Sequence, residues 1–302
     1  MSITAQKSRN NIATFVLVAG LTGLLLVIGK VVGGNGGLAV FACLAVAMNI
    51  GMYWFSGPMA LRMSHAVEVS ESQEPALHQM IGELAHRAGV PKPRVYVTPD
   101  EQPNAFATGR NPSHAAIAVT RGIQRVLPPR ELEGVLAHEM AHIKNRDILI
   151  ASIAAMVAGA ISAVANFLQF SMFFGGGSND DDGPLGLVGM IATMMFAPLA
   201  AGIMQMAISR QREYVADATG AQLIGDAVPL ADALQTLHRG AEVIPMQVNP
   251  AAAPLYIVNP LAAFGGRNFT KLFSTHPPME ERIARLHAMS GELRGAGVSV
   301  SR

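Results

Sequence analysis

Residues His138, Glu139, Met140, Ala141 and His142 set two imidazoles four positions apart with a carboxylate beside the first, an H-E-x-x-H pattern. On a helix, side chains four apart stack on one face, so both rings can reach one ion while Glu139 projects next to them. Two neutral imidazole nitrogens suit Zn²⁺, and a catalytic zinc takes one further protein ligand and keeps a position open for water. The chemistry is hydrolysis of a carbonyl compound: the ion lowers the pKa of water to about 7, and Glu139 moves the proton. Alone, the pattern also fits an ordinary amphipathic helix, so it requires a third ligand elsewhere in the chain.

Arg210 to Asp217 offers that ligand, because Glu213 and Asp217 lie four apart on one helical face. Glu213 would complete a His-His-Glu set for one zinc per chain, and Asp217 is placed to accept the free ring N–H of His138 or His142. Without the histidines, the same pair would be an exposed acid cluster flanked by arginines.

The elements that must position these residues follow from local pattern. Pro128 and Pro129 mark a helix start, and Leu132, Val135, Leu136 and Ala137 form an apolar stripe that His138 and His142 extend. The helix is expected to continue through Lys144, Asn145, Arg146 and Asp147 into the next apolar run. Ahead of it, Leu77, Ile81, Leu84 and Ala88 predict an amphipathic helix over 72–89. Segments 94–98, 104–108 and 115–120 read as three short strands. A small sheet therefore precedes the motif.

Half of the 302 residues are hydrophobic, only 14% are charged and the mean hydropathy is +0.32, the balance of a membrane protein. The net charge of +1 and the lack of a basic run interleaved with aromatics set nucleic acid aside as a partner. Cys43 is the only cysteine, which excludes a disulfide framework and a C-x-x-C metal knuckle.

Four apolar runs are long enough to cross a bilayer: 11–29, 31–61, 148–174 and 185–209. The first is longer than the roughly 7–15 residues of a signal-peptide core, and no A-x-A-like site follows it. The second ends in Tyr53 and Trp54, where an interfacial aromatic belt would sit. The third and fourth are rich in Ala, Gly and Met, and also fit two buried core helices or a hairpin that only dips into the membrane. Lys7, Arg9, Arg62, Lys144, Arg146, Arg210 and Arg212 all flank one side. That places both termini and the hydrophilic segments in the cytoplasm, in a multi-pass protein of a bacterial-type inner membrane.

Taken together, the chain resembles the HtpX family of membrane zinc metallopeptidases, gluzincins related to the CAAX prenyl proteases. The resemblance rests on 103–109 (Pro-Asn-Ala-Phe-Ala-Thr-Gly), on His138 to His142 with Asn145 and Asp147, on Glu213 to Asp217, on His276-Pro277-Pro278 and on the hydrophobic segments between them. It implies that His138, His142 and Glu213 bind zinc, that Glu139 is catalytic, that Asn145 supports the ligands, and that substrates are misfolded or membrane proteins cut on the cytoplasmic side. The expected fold is a mainly α membrane protein with four hydrophobic helices and a cytoplasmic α+β, zincin-type catalytic domain holding a small β-sheet. It divides into a membrane hairpin at 1–61, catalytic parts at 62–147 and 210–290, a second hairpin at 148–209, and a flexible tail at 291–302.

Further roles are open. His276, between Thr275 and two prolines, is a candidate donor to the oxyanion or a surface-loop histidine. Asn104, Ala105, Phe106 and Ala107 form either an exposed edge that adds a substrate strand or an ordinary edge strand. Arg282 opens a C-terminal amphipathic helix and is a candidate partner for an active-site carboxylate. Segment 244–264 shapes the cleft, covers it, or is a plain surface loop. His65, His78, His86, His114, His238 and His287 read as ordinary surface residues. A prenyl-protein protease shares the chemistry, whereas a metal transporter or scaffold would place ionisable residues within the spans, which hold none.

Overall fold

A computed structural model describes residues 3–157, 210–248, 252–264 and 277–298. His276, most of the third apolar run and all of the fourth lie outside the described residues.

The first two apolar runs form one helical element, α1 (Ile3–Met63), broken at Gly33 and Gly34. The arms touch where Asn49 Nδ2 donates to Thr22 Oγ1 at 2.9 Å. The second arm, Gly33–Met63, has a hydropathy of 1.9 and is long and apolar enough to cross a bilayer. Val40, Val46, Ile50 and Phe55 are exposed on it. Its last two turns differ, because Ser56, Ala60 and Leu61 are buried. The end of the expected second span is thus part of the folded domain.

That domain is built on a four-stranded sheet of order β1-β2-β4-β3, with β1 Val67–Glu68, β2 Arg94–Thr98, β3 Ala105–Gly109 and β4 Ala115–Thr120. β4 pairs parallel to β2 and antiparallel to β3, leaving β3 at an edge. Side chains alternate across the pleat. Val95, Val97, Ala105, Ala107, Ile117 and Val119 enter the main core, while Tyr96, Phe106, Ala116 and Ala118 join Ala60 and Leu61 on the opposite face.

Helix α2 (Pro75–Ala88) and short α3 (Arg121–Val126) flank the sheet, and α4 (Pro129–Asn145) carries the motif. Pro129 enters at the first turn, where its missing N–H costs no hydrogen bond. The expected continuation past Asn145 does not occur. Arg146 adopts a left-handed conformation (φ 61), and the N–H groups of Arg146 and Asp147 donate to the carbonyls of Ile143 and His142. Those bonds close the helix end, and a separate helix, α5 (described over Ile148–Val157), starts after Asp147.

After the undescribed stretch, α6 (Arg210–Ile224) and α7 (Val228–Val243) pack on α4. Gly220 allows the close approach of α6: a Cβ there would lie 2.9 Å from the His138 backbone nitrogen. The last helix, α8 (Met279–Val298), runs past Gly291, where a flexible tail was expected, since Glu292, Leu293 and Arg294 are good helix formers.

Segment 252–264 is no surface loop. Ala252, Tyr256, Ile257 and Val258 are buried, and the segment lies along the outer edge of β3, with Ile257 N–H donating to the Ala105 carbonyl at 3.0 Å. Gln102 fastens its flanks, its Nε2 donating to the carbonyls of Ile244 at 2.6 Å and Pro260 at 3.1 Å.

Candidate metal centre

Helix α4 presents His138 and His142 on one face, and α6 brings Glu213 opposite them. The two Nε2 atoms lie 3.1 Å apart, and the Glu213 carboxylate is 3.8 Å from one and 3.6 Å from the other. One ligand atom from each of the three residues falls within a cluster no wider than 4.8 Å.

Each ring is fixed from behind by its other nitrogen. Nδ1 of His138 donates to Asp217 Oδ1 at 2.9 Å, and Nδ1 of His142 donates to Asp147 Oδ2 at 3.1 Å. A ring whose one proton sits on Nδ1 offers its Nε2 lone pair beside the Glu213 carboxylate, and His142 gives up its second proton when it takes a cation. Three electron-rich atoms converging in this way suit a divalent cation. Two nitrogens bound at about 2.0–2.1 Å to a tetrahedral ion would be roughly 3.4 Å apart, close to the separation found.

Asp217 is held in turn by Arg282, whose Nε and Nη2 donate to its two oxygens at 2.9 and 2.7 Å. Arg282 is fully buried, donates to the Ile257 carbonyl at 3.3 Å and stands 3.6 Å from Glu213. Burial alone would raise the Asp217 carboxyl, but the Arg282 guanidinium and the His138 ring hold it below the usual range. Burial drives His138 down, with Asp217 opposing, so that ring is neutral as a ligand must be. At His142 burial also acts downward, yet the Asp147 hydrogen bond and the charges of Glu213, Asp147 and Glu139 outweigh it and push the ring up to about 9.

Glu139 is buried beside the cluster, and desolvation with the Glu213 charge pushes its carboxyl up to about 7, against opposing His142, Ala107 and Arg282 contributions. It accepts a hydrogen bond from the Ala107 backbone N–H. A carboxyl that titrates near neutrality can take a proton and return it.

The pocket over the site is lined by Ala107 of β3, by Tyr256 and Ile257 of the segment beside it, and by Ile148 and Ala151 of α5. The expected exposed edge is largely absent: Asn104, Ala105 and Phe106 are 0% exposed and Ala107 6%. Asn104 Nδ2 donates to the Val258 carbonyl at 2.9 Å, and Phe106 packs edge-on against Tyr256 at 4.9 Å. Of the four, Ala107 reaches the pocket. Asn145 is fully buried in the last turn of α4.

Asp147 is the functional residue that local pattern did not assign, because its contact depends on the left-handed turn at Arg146. An acid five residues after the second histidine is the one sign of it. His78 is also no plain surface residue, since its Nε2 bonds the Val69 carbonyl at 2.9 Å.

A buried His-His-Glu cluster with a carboxyl poised beside it defines a metallopeptidase. The chain belongs to peptidase family M48, whose pattern matches residues 71–290. It is 52% identical over 281 residues to a Protease HtpX homolog of Gemmatimonas aurantiaca, covering 93% of this chain and 99% of that one. It is also 52% identical over 285 residues to a Protease HtpX homolog of Persephonella marina, covering 93% and 98%. A crystal structure of S. mikatae Ste24p superposes at a TM-score of 0.48 with 18% identity, over 94% of this chain and 67% of that one.

Proposed function

We propose that the chain is a zinc-dependent endopeptidase, anchored in a membrane by several spans, that cuts unfolded or membrane proteins at the cytoplasmic face. The observation that carries this reading is the convergence of His138, His142 and Glu213 beside Glu139 in a domain into which an apolar helix inserts its last turns. From Asn35, just past the helix break, to Trp54 there are about 20 residues, or roughly 30 Å of helix, the thickness of a hydrocarbon core. Arg62, Lys144, Arg146 and Arg210 flank the apolar segments on the domain side, which supports a cytoplasmic orientation. Segments 148–174 and 185–209 would form the second hairpin.

Zinc, when bound, supplies a Lewis acid for a water molecule and for the scissile carbonyl. Asp217 and Asp147 keep the proton of each ligating ring on Nδ1, away from the ion. Glu139 takes the proton of the attacking water and delivers it to the leaving amine. Ala107 holds that carboxylate by its N–H and lines the place where the substrate backbone lies. Tyr256 and Ile257 line the same pocket and limit water.

The test is zinc content and cleavage of unfolded casein and of a membrane protein by the wild type and by Glu139→Gln. The variant should keep its zinc and lose about 10²–10⁴-fold in turnover. Equal turnover by the two would end the proposal, and so would a wild type that binds no zinc.

A further inference from the structure

The cations of the described surface differ in what they face. Arg87, Lys92 and Arg130 sit on Glu133, Glu71 and Glu133 at 3.2, 2.6 and 2.8 Å, and Arg121 and Arg125 sit on Glu74 and Glu101. Arg110, Lys144 and Arg146, like Arg62, have no acidic partner among the described residues. Lys144 and Arg146 share a cavity with Asn111, the residue next to Arg110. It lies between the end of α2 and Asn111–Ser113, and no carboxylate lines it.

Arg110 itself meets the apolar helix. The Arg110 guanidinium lies 4.2 Å from the ring centroid of Trp54, which is 50% exposed and is the only tryptophan of the chain. On α1, Val46, Ile50 and Phe55 around Trp54 are exposed, whereas Ser56 onward the helix turns buried faces to the domain. Trp54 therefore lies just before the level at which the helix enters the domain, and Arg62 is the first exposed charge after it. A stacked arginine there has its charge at headgroup height.

Arg146 adds a second sign. It holds a left-handed helix cap, a place where glycine or asparagine is the usual occupant. The turn itself is set by the end of α4 and the placement of Asp147, and it leaves the Arg146 side chain exposed at the cavity.

We propose that the cavity beside Lys144 and Arg146 takes the phosphate of an anionic phospholipid headgroup, with Arg110 stacked on Trp54 next to the Asn111–Ser113 wall in sequence. Two cations without an acid and a neighbouring third make a site for a monoanionic phosphate, and its height at the end of the apolar helix selects a lipid over a free ion. Bound there, the headgroup would fix the C-terminal end of the metal-bearing helix at the bilayer surface. The proposal rests on the membrane placement of α1 given above.

Trp54 makes the test direct. The full-length protein is placed in nanodiscs of mixed phosphatidylglycerol and phosphatidylcholine, with bromine on the upper acyl chain of one lipid or the other, and tryptophan quenching is measured. The wild type should be quenched at least about twofold more by brominated phosphatidylglycerol at equal bromine content. Lys144→Gln with Arg146→Gly should lose that preference without a fall in Tm, because glycine relieves the left-handed cap. Equal quenching by both lipids overturns the headgroup site. Quenching by neither overturns the membrane placement of Trp54 instead. Loss of the preference on adding inorganic phosphate would make the cavity a free-anion site and would also overturn the lipid assignment.

Discussion

The two ligating histidines are braced by the same device and backed by different material. His138 is almost wholly buried, and its carboxylate, Asp217, is gripped by a fully buried Arg282 that reaches from α8. The His142 side chain keeps 16% exposure, and its carboxylate, Asp147, stands on the joint between α4 and α5. One half of the centre is anchored in the core, and the other is tied to the helix that leads toward the apolar segments. The surroundings also act on the two rings in opposite directions: burial drives His138 down, while the Asp147 hydrogen bond and the nearby carboxylates push His142 up to about 9.

The comparison breaks most visibly at Arg282. Arg282→Met removes the cation that faces Asp217 and Glu213, and an uncompensated buried carboxylate typically costs about 3–5 kcal/mol. Chemical denaturation should show that loss, while no single change on the His142 side should match it. A smaller effect separates the two braces themselves. Asp217→Asn and Asp147→Asn should each weaken zinc affinity by roughly 10–100-fold, with Asp217→Asn at the upper end. Competition with a zinc chelator checks it, and an equal or reversed order would erase the asymmetry. Gly220→Ala should cost about 1–3 kcal/mol and lower metal affinity through the His138 half, because the added methyl pushes α6 from the α4 backbone. Smallest is Ser152→Ala on α5, which removes contacts to Thr108 Oγ1 at 2.7 Å and the Gly109 N–H at 3.3 Å for about 1 kcal/mol. Its Tm shift should be modest, with zinc affinity unchanged.

What could be read in the chain before the structure follows the same division. His138, His142 and Glu139 share a helix, so their juxtaposition is a matter of period, and the Glu213–Asp217 pair repeats that spacing. Three of the four strands could be read from local pattern, β1 being missed, and the helix expected over 72–89 from its helical spacing is found over Pro75–Ala88. Asp147 could not, since nothing in Lys-Asn-Arg-Asp announces a left-handed arginine. The coverage of β3 was equally hidden: its edge is occupied by Ile257 and Val258, some 150 residues later, a contact that no local pattern encodes. Asn104 looked available to substrate and is instead a fastener for that segment. Arg282 was legible as a partner for a carboxylate, but not as the buried centre of one half of the site.

The burial of the last turns of α1 has a practical consequence for anyone preparing a water-soluble form. Ala60 and Leu61 pack with Tyr96, Phe106 and Tyr256, directly behind the strand that holds Glu139. A version begun after Met63, at the point where the helix ends, would lay bare an aromatic surface beneath β3 and invite aggregation. The cut that respects the packing falls near Trp54, keeping two helical turns that look like membrane anchor in the sequence and serve as domain core in the fold.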